Sequence, residues 1–166
     1  YTAEDRLFAG YAMLDWGLAE SVRVVGGARL ERSEVELEAT STIGTPTRAT
    51  PNYTDVLPAV SITWKLSDNQ NLRFSGSQTL SRPEYRELAN VQFREVLGGD
   101  NVIGNPDLRR TLVRNLDIRW EWYPNPGEVI AISGFYKYFE NPIIRAVTSD
   151  NNCRFTFNNG ETAENV

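Results

Sequence analysis

From Arg109 to Phe139 the chain reads RRTLVRNLDIRWEWY, then PNPG, then EVIAISGFYKYF: two alternating runs around a four-residue Pro/Gly turn. This is the pattern of an antiparallel hairpin. Sorted by parity, the first run gives Leu112, Arg114, Leu116, Ile118, Trp120 and Trp122 as one set. The other set is Thr111, Val113, Asn115, Asp117, Arg119, Glu121 and Tyr123. Successive side chains of a strand point to opposite faces, so one face is apolar and the other carries both signs of charge. The apolar face ends in aromatics just before the turn.

The same alternation recurs upstream. Asp5 to Leu18 places Phe8, Gly10, Ala12, Leu14 and Trp16 in one phase and Asp15 in the other. After a short link (Ala19, Glu20, Ser21), Val22 to about Glu38 alternates Val22, Val24, Gly26, Ala28 and Leu30 against Arg23, Val25, Gly27, Arg29 and Glu31. An arginine on a lipid face near the bilayer midplane costs roughly 2–4 kcal/mol, which turns Arg23 and Arg29 inward. Ala39 to Asn52 is rich in Thr, Ser, Pro and Gly and reads as a long loop. In the third strand, Tyr53 to Leu66, Val56, Pro58, Val60, Ile62 and Trp64 oppose Asp55, Ser61, Thr63 and Lys65. Pro58 removes a ladder donor, so a bulge or kink is expected there. A polar turn, Ser67 to Asn71, leads to a fourth strand ending at Ser81. The long connection from Arg82 to about Leu108 opens with Ser81 and Glu84 at capping-box spacing, the signature of a short helical turn. Asn141 onward reads as a third long loop.

Short turns therefore fall near Ala19, Asn69 and Pro126, with long loops between them. Bacterial transmembrane β-barrels have short turns on one side and long loops on the other. All four tryptophans, Trp16, Trp64, Trp120 and Trp122, lie in the apolar phase shortly before a short turn. Tyr136 and Tyr138 take the corresponding outer position at the far end of the last strand. These six are the expected membrane girdle. The 166 residues contain no apolar run of the roughly 18 that a membrane helix requires, whereas barrel strands need only about 9–11. The expected fold is all-β: an antiparallel up-and-down meander, part of a large transmembrane β-barrel. About six or seven strands of it are visible across residues 1–166. Such a piece alone would leave two edges and an apolar face open, to be covered by another copy or by refolding. The alternative fold is a soluble β-sandwich ligand-binding module, which has no reason to gather tryptophan at one end of every hairpin.

Chemistry is sparse. The net charge of -5 comes without a basic block, which gives a nucleic-acid partner little support, and none is expected. Histidine is absent, so no Ser-His or Cys-His nucleophile can form, and no catalytic residue or cofactor is expected. An outer-membrane barrel enzyme would need a catalytic set from beyond these residues. Cys153, the single cysteine, reads as a loop thiol or half of a bridge to a residue outside this stretch. Asp117 and Glu121 share a face about 13 Å apart, too far for a glycosidase pair, and with Arg119 between them form a charge ladder. Gly98-Gly99-Asp100-Asn101 lacks the Lys of a phosphate loop and reads as a loop turn. Asp100, Asp107 and Asp150 supply oxygen ligands but no calcium-loop spacing, so no metal site is assigned. Binding residues favour loops held by a rigid scaffold. Arg82, Glu84 and Tyr85 at one loop base, with Asp100 and Asn101 further along, are the ligand-binding candidates; anchoring the loop is the other role open to the first three.

The segments LRFSGSQTLSRPEYREL and GNPDLRRTLVRNLDIRWEWYPNPGEVIAISGFYKYFENPI resemble the late barrel region of TonB-dependent outer-membrane receptors. The shared features are Arg82-Pro83-Glu84-Tyr85-Arg86-Glu87-Leu88, Gly104-Asn105-Pro106-Asp107-Leu108, the stretch from Glu121 to Gly127, and Phe135-Tyr136-Lys137, in that order and spacing. GYAMLDW and VVGGARLE fit more loosely, and the resemblance weakens beyond about Arg145. It implies a large barrel in the outer membrane of a Gram-negative bacterium, surrounded by outer-membrane lipid. It also implies a plug and a TonB box, neither found in this stretch, through which the TonB complex drives import. The implied ligand is a scarce small molecule or glycan: a ferric siderophore, cobalamin or an oligosaccharide.

Overall fold

The computed structural model of the chain describes residues 2–40, 46–94, 101–148, 154–160 and 163–165. In chain order the elements are β1 (Thr2–Ala19), β2 (Val22–Thr40), β3 (Pro46–Ala49), β4 (Asn52–Ser67), β5 (Gln70–Ser81), α1 (Tyr85–Leu88), β6 (Gln92–Arg94) and β7 (Asn101–Ile103). They continue as β8 (Thr111–Trp122), β9 (Ile130–Glu140), β10 (Ile143–Thr148), β11 (Arg154–Asn159) and β12 (Ala163–Asn165). One sheet runs β1-β2-β4-β5-β8-β9-β12, with β3 also on β2, and each of its pairings is antiparallel. It is the expected meander.

A single parity governs this sheet. Trp16 faces Val24, Val24 faces Ile62, Ile62 faces Phe74, Phe74 faces Ile118 and Ile118 faces Gly134. Residues directly opposite one another share a face. Even-numbered positions therefore point one way across the ladders, and the apolar phases of these strands merge into one surface. The one-residue register shifts, Gly17/Ala19 and Lys65/Ser67, sit beside short turns and do not propagate. The even face is open: Leu14 is 80% and Trp16 65% exposed, and no described part of the chain folds over it. The odd face holds Arg23, Arg29, Arg73, Arg119, Asp15 and Glu121, but on β1 it is apolar as well, through Leu7, Tyr11 and Met13.

The connections depart from expectation. Of the expected loop 39–52, the described residues are largely strand: β2 extends to Thr40 and β3 pairs with it in the same register as β4, so the ladder continues past the rest of the sheet. Its reward is burial, since Leu37, Ala39 and Ala49 enter the core. Pro58 causes no bulge on the β2 side, where the ladder runs unbroken. Instead the β4–β5 ladder stops at Ala59, and the Gln78 amide donates to the Val56 carbonyl at 3.0 Å. Alternate residues of a strand present their backbone groups to the same side, so the donor missing at Pro58 faces β5 and pairing ends there. The helical turn exists, but Glu84 rather than Ser81 caps it, its N–H donating to the Glu87 carboxylate at 2.9 Å.

The connections from Arg82 and from Asn141 are likewise not structureless. They build a second sheet, β10-β11-β7-β6, in which β11 and β7 run parallel. With α1 it packs on the odd face at the long-connection end, where Leu37, Ala39, Ala49, Leu88, Ala89, Val102, Leu108 and Phe157 form the buried core.

Candidate functional site

The segment after β5 crosses the odd face as a strap. Pro83 biases Arg82 toward extended backbone, and Glu84, also extended, starts the single turn of α1. The glycine of the next motif then closes against it: a Cβ on Gly104 would lie 2.0 Å from the Ala89 carbonyl oxygen, so only glycine permits the approach. The Asn105 N–H donates to the Glu87 carbonyl at 2.6 Å.

Two buried carboxylates tie the strap region to the wall. Glu31, 7% exposed, accepts from Arg82 Nη2 and Arg29 Nε, each at 2.6 Å. Asp55, 3% exposed, accepts from Arg110 Nε at 2.5 Å, and the Arg110 guanidinium lies 4.6 Å over the Tyr53 ring. Tyr85 donates its hydroxyl to Asp5 Oδ2 at 3.0 Å. That hydrogen bond, with partial desolvation and the Asp5 charge, pushes the Tyr85 phenol above its ordinary range. Three buried polar atoms here have no described protein partner: Ser33 Oγ, Asp55 Oδ2 and Arg82 Nε. Beside them opens a cavity of about 530 Å³ whose lining includes Ser33, Tyr53, Arg82, Glu84, Tyr85 and Leu88. Its lining combines the Ser33 hydroxyl, the Arg82 guanidinium, the Asp5 and Glu84 carboxylates and two tyrosine rings.

The structure thus brings Arg82, Glu84 and Tyr85 together at one cavity. Asn101 lies apart on β7, and Asp100 falls outside the described residues, as do Cys153 and Asp150. Asp107 is engaged locally, its N–H donating to Asn105 Oδ1 at 3.0 Å. Among the described residues no cluster of three or more candidate metal ligands occurs. Glu31, Ser33, Tyr53, Asp55 and Arg110 escaped the sequence reading. For Glu31, Ser33, Tyr53 and Asp55 the available signal was their odd phase, but Glu31 and Asp55 meet their partners Arg82 and Arg110 only some fifty residues later in the chain.

At the short-turn end, Glu121 accepts from Arg119 at 2.8 Å, Arg73 at 3.1 Å and the Tyr123 hydroxyl at 3.0 Å. The Asp117–Glu121 ladder is therefore anchored at one rung by two arginines. Trp16, Trp64, Trp120, Trp122, Tyr136 and Tyr138 all lie on the even face. Trp120 and Trp122 stack with centroids 6.5 Å apart, and the Trp120 indole donates to Gln70 at 3.1 Å.

Residues 1–165 match the family described as TonB dependent receptor-like, beta-barrel. An iron-regulated outer membrane virulence protein of Vibrio cholerae is 25% identical over 147 residues, which is 88% of this chain and 20% of that protein. The Serratia marcescens hemophore receptor HasR superposes with a TM-score of 0.77 at 12% identity, covering 96% of this chain and 30% of that one. The copper transporter OprC gives 0.69 at 19% identity, covering 98% and 25%. The siderophore receptor PirA of Acinetobacter baumannii gives 0.65 at 14%, covering 96% and 24%. The structural likenesses speak to fold, and the chain spans a fifth of the length of its Vibrio relative.

Proposed function

The chain belongs to the TonB-dependent receptor-like β-barrel family, and from that premise we propose that it forms part of the wall of a receptor importing an iron chelate. Its place is the outer membrane of a Gram-negative bacterium. The observation that carries the reading is the single-parity sheet, with lipid against the even face and a water-filled lumen against the odd. From Phe8 to Trp16 the apolar phase of β1 spans about 26 Å of strand, or about 20 Å of height at a barrel tilt near 40°. That fills most of the roughly 25 Å hydrocarbon band. The short turns then face the periplasm and the long connections the outside. Trp16, Trp64, Trp120 and Trp122 mark the inner rim, and Tyr136 and Tyr138 the outer part of the band.

In this reading the strap cavity is an outer vestibule. Arg82 Nη2 and the Tyr85 hydroxyl are engaged by Glu31 and Asp5 and hold the strap, and the Glu84 carboxylate closes the capping box of α1; the Ser33 hydroxyl, Arg82 Nε and the remaining lone pairs of Glu84 are left to meet a ligand. Leu7, Tyr11 and Met13 on the lumenal face would pack against a plug, through which TonB acts. An iron cargo is favoured over cobalamin or an oligosaccharide by the iron-regulated relative and by the siderophore and hemophore receptors that share the fold. The test is growth of a deletion strain on single iron sources, each an individual ferric siderophore or heme. The reading expects loss on one of them, restored by the gene and not by a Glu84→Arg copy. Undiminished growth on every iron source, with a defect on cobalamin or a glycan, overturns the iron assignment.

A further inference from the structure

The even face carries one residue that does not suit it. Arg114 sits in the lipid-facing set between Leu112 and Leu116, with its side chain 62% exposed. Other described arginines of this face are held closely: Arg6 by Glu4 at 2.5 Å, Arg32 by Glu34 at 2.7 Å, and Arg48 by Glu36. Arg114 has Glu140 only at 3.9 Å and lies 5.7 Å over the Tyr138 ring. Its cross-strand neighbour Gln78 gives its amide to the Val56 carbonyl. The positive charge is thus incompletely matched within the protein.

Directly beside it the surface is hollow. Gly26, Pro58, Val60, Gly76, Leu116 and Tyr136 border a trough of about 760 Å³ with Arg114 on its lining. The trough exists because the β4–β5 ladder ends at Ala59 and two glycines leave the floor bare. Leu116 and Tyr136 lie one step nearer the short turns than Arg114 and Tyr138. From Trp122 to Arg114 is about 26 Å of strand, about 20 Å of height, which puts the guanidinium near the outer edge of the hydrocarbon band, with the trough running inward from it.

A cation at headgroup depth over an acyl-sized hollow is complementary to an anionic lipid. We propose that this trough is a binding site for a phosphorylated, multiply acylated glycolipid of the outer leaflet, lipid A, with a phosphate on Arg114 and one acyl chain along Gly26, Val60, Gly76 and Leu116. The site rests on the membrane orientation proposed above, and quenching of the tryptophans by brominated lipid tests that orientation separately.

The experiment uses the purified full-length receptor in detergent. Binding of bis-phosphorylated lipid A, of dephosphorylated lipid A and of phosphatidylglycerol is measured by native mass spectrometry. Arg114→Gln should weaken the phosphorylated form about fivefold, the worth of one arginine at a membrane surface, and leave the dephosphorylated form unchanged. Arg114→Lys should largely restore binding. Gly76→Leu, which fills the floor, should weaken both forms of lipid A, with folding verified by heat-modifiable gel mobility. Should that variant not fold, the Arg114 pair decides alone. Arg6→Gln, an outward arginine away from the trough, should change nothing. The proposal is overturned if Arg114→Gln binds like the wild type, if Arg6→Gln weakens binding equally, or if phosphatidylglycerol binds as well as lipid A.

Discussion

Asp55 holds Arg110 with one carboxylate oxygen, while the other has no described protein partner. Removing the arginine would strand a buried charge, which costs about 3–5 kcal/mol. Arg110→Met should therefore lower the urea midpoint of the full-length receptor markedly, and adding Asp55→Leu should recover most of the loss. Arg6→Met, breaking an exposed pair with Glu4, should leave the midpoint where it was; an equal drop would show that burial is not what matters. Tyr85 behaves differently. Its phenol is raised, so its protonated, hydrogen-bonded form persists below the ordinary value of 10.0 and is lost only as pH climbs through the raised one. Hydrogen exchange at α1 should then show no tyrosine-dependent change between about pH 6 and 9, whereas Tyr85→Phe should speed it throughout. A titration of strap protection near neutrality would contradict the assignment.

The strap and its small sheet depend on contacts that no local pattern announces. Gly104 is the test: Ala89 O, Ala89 C and Arg86 O would stand 2.0, 2.7 and 2.8 Å from a new Cβ, and all three are backbone atoms. Gly104→Ala should detach the GNP segment from α1 and open residues 82–110 to protease while the main sheet keeps its heat-modifiable mobility. Resistance unchanged from wild type would sink the account. The long strands of the main sheet, β1, β2, β4, β5, β8 and β9, were legible because each carries its own period of two and its own turn residues. Ala39 and Ala49 were not, since Thr, Pro and Gly around them read as a loop until α1 and β7 supply something to pack against, and Leu37, inside the expected second strand, carried no sign that it would be buried. Glu84 displaced Ser81 as cap for a similar reason: the spacing from Ser81 to Glu84 is correct, but the ladder of β5 with β8 holds Ser81 against Thr111. Among the site residues, Arg82, Glu84 and Tyr85 were visible as a cluster in sequence, whereas Glu31 and Asp55 lie on other strands.

At the scale of the whole molecule, the placement of indoles is the measurable quantity. Reconstituted in bilayers brominated near the acyl chain ends of the carbonyl side, the full-length receptor should lose fluorescence from Trp16, Trp64, Trp120 and Trp122, and Trp64→Phe should reduce the quenched fraction. Aqueous iodide should quench them weakly. The reverse ranking would place the even face in water and remove the membrane reading with it. The shared register also says how such a wall can change over generations. A one-codon insertion that falls between ladders leaves every register as it was. The same insertion in the middle of β4 would present Asp55 or Thr63 to hydrocarbon and Val56 or Ile62 to water, and the two-residue turns at Glu20–Ser21 and Asp68–Asn69 offer no slack to absorb it. Length variation among kindred chains should accordingly collect in the long connections, and inside strands the spacing should shift only by pairs.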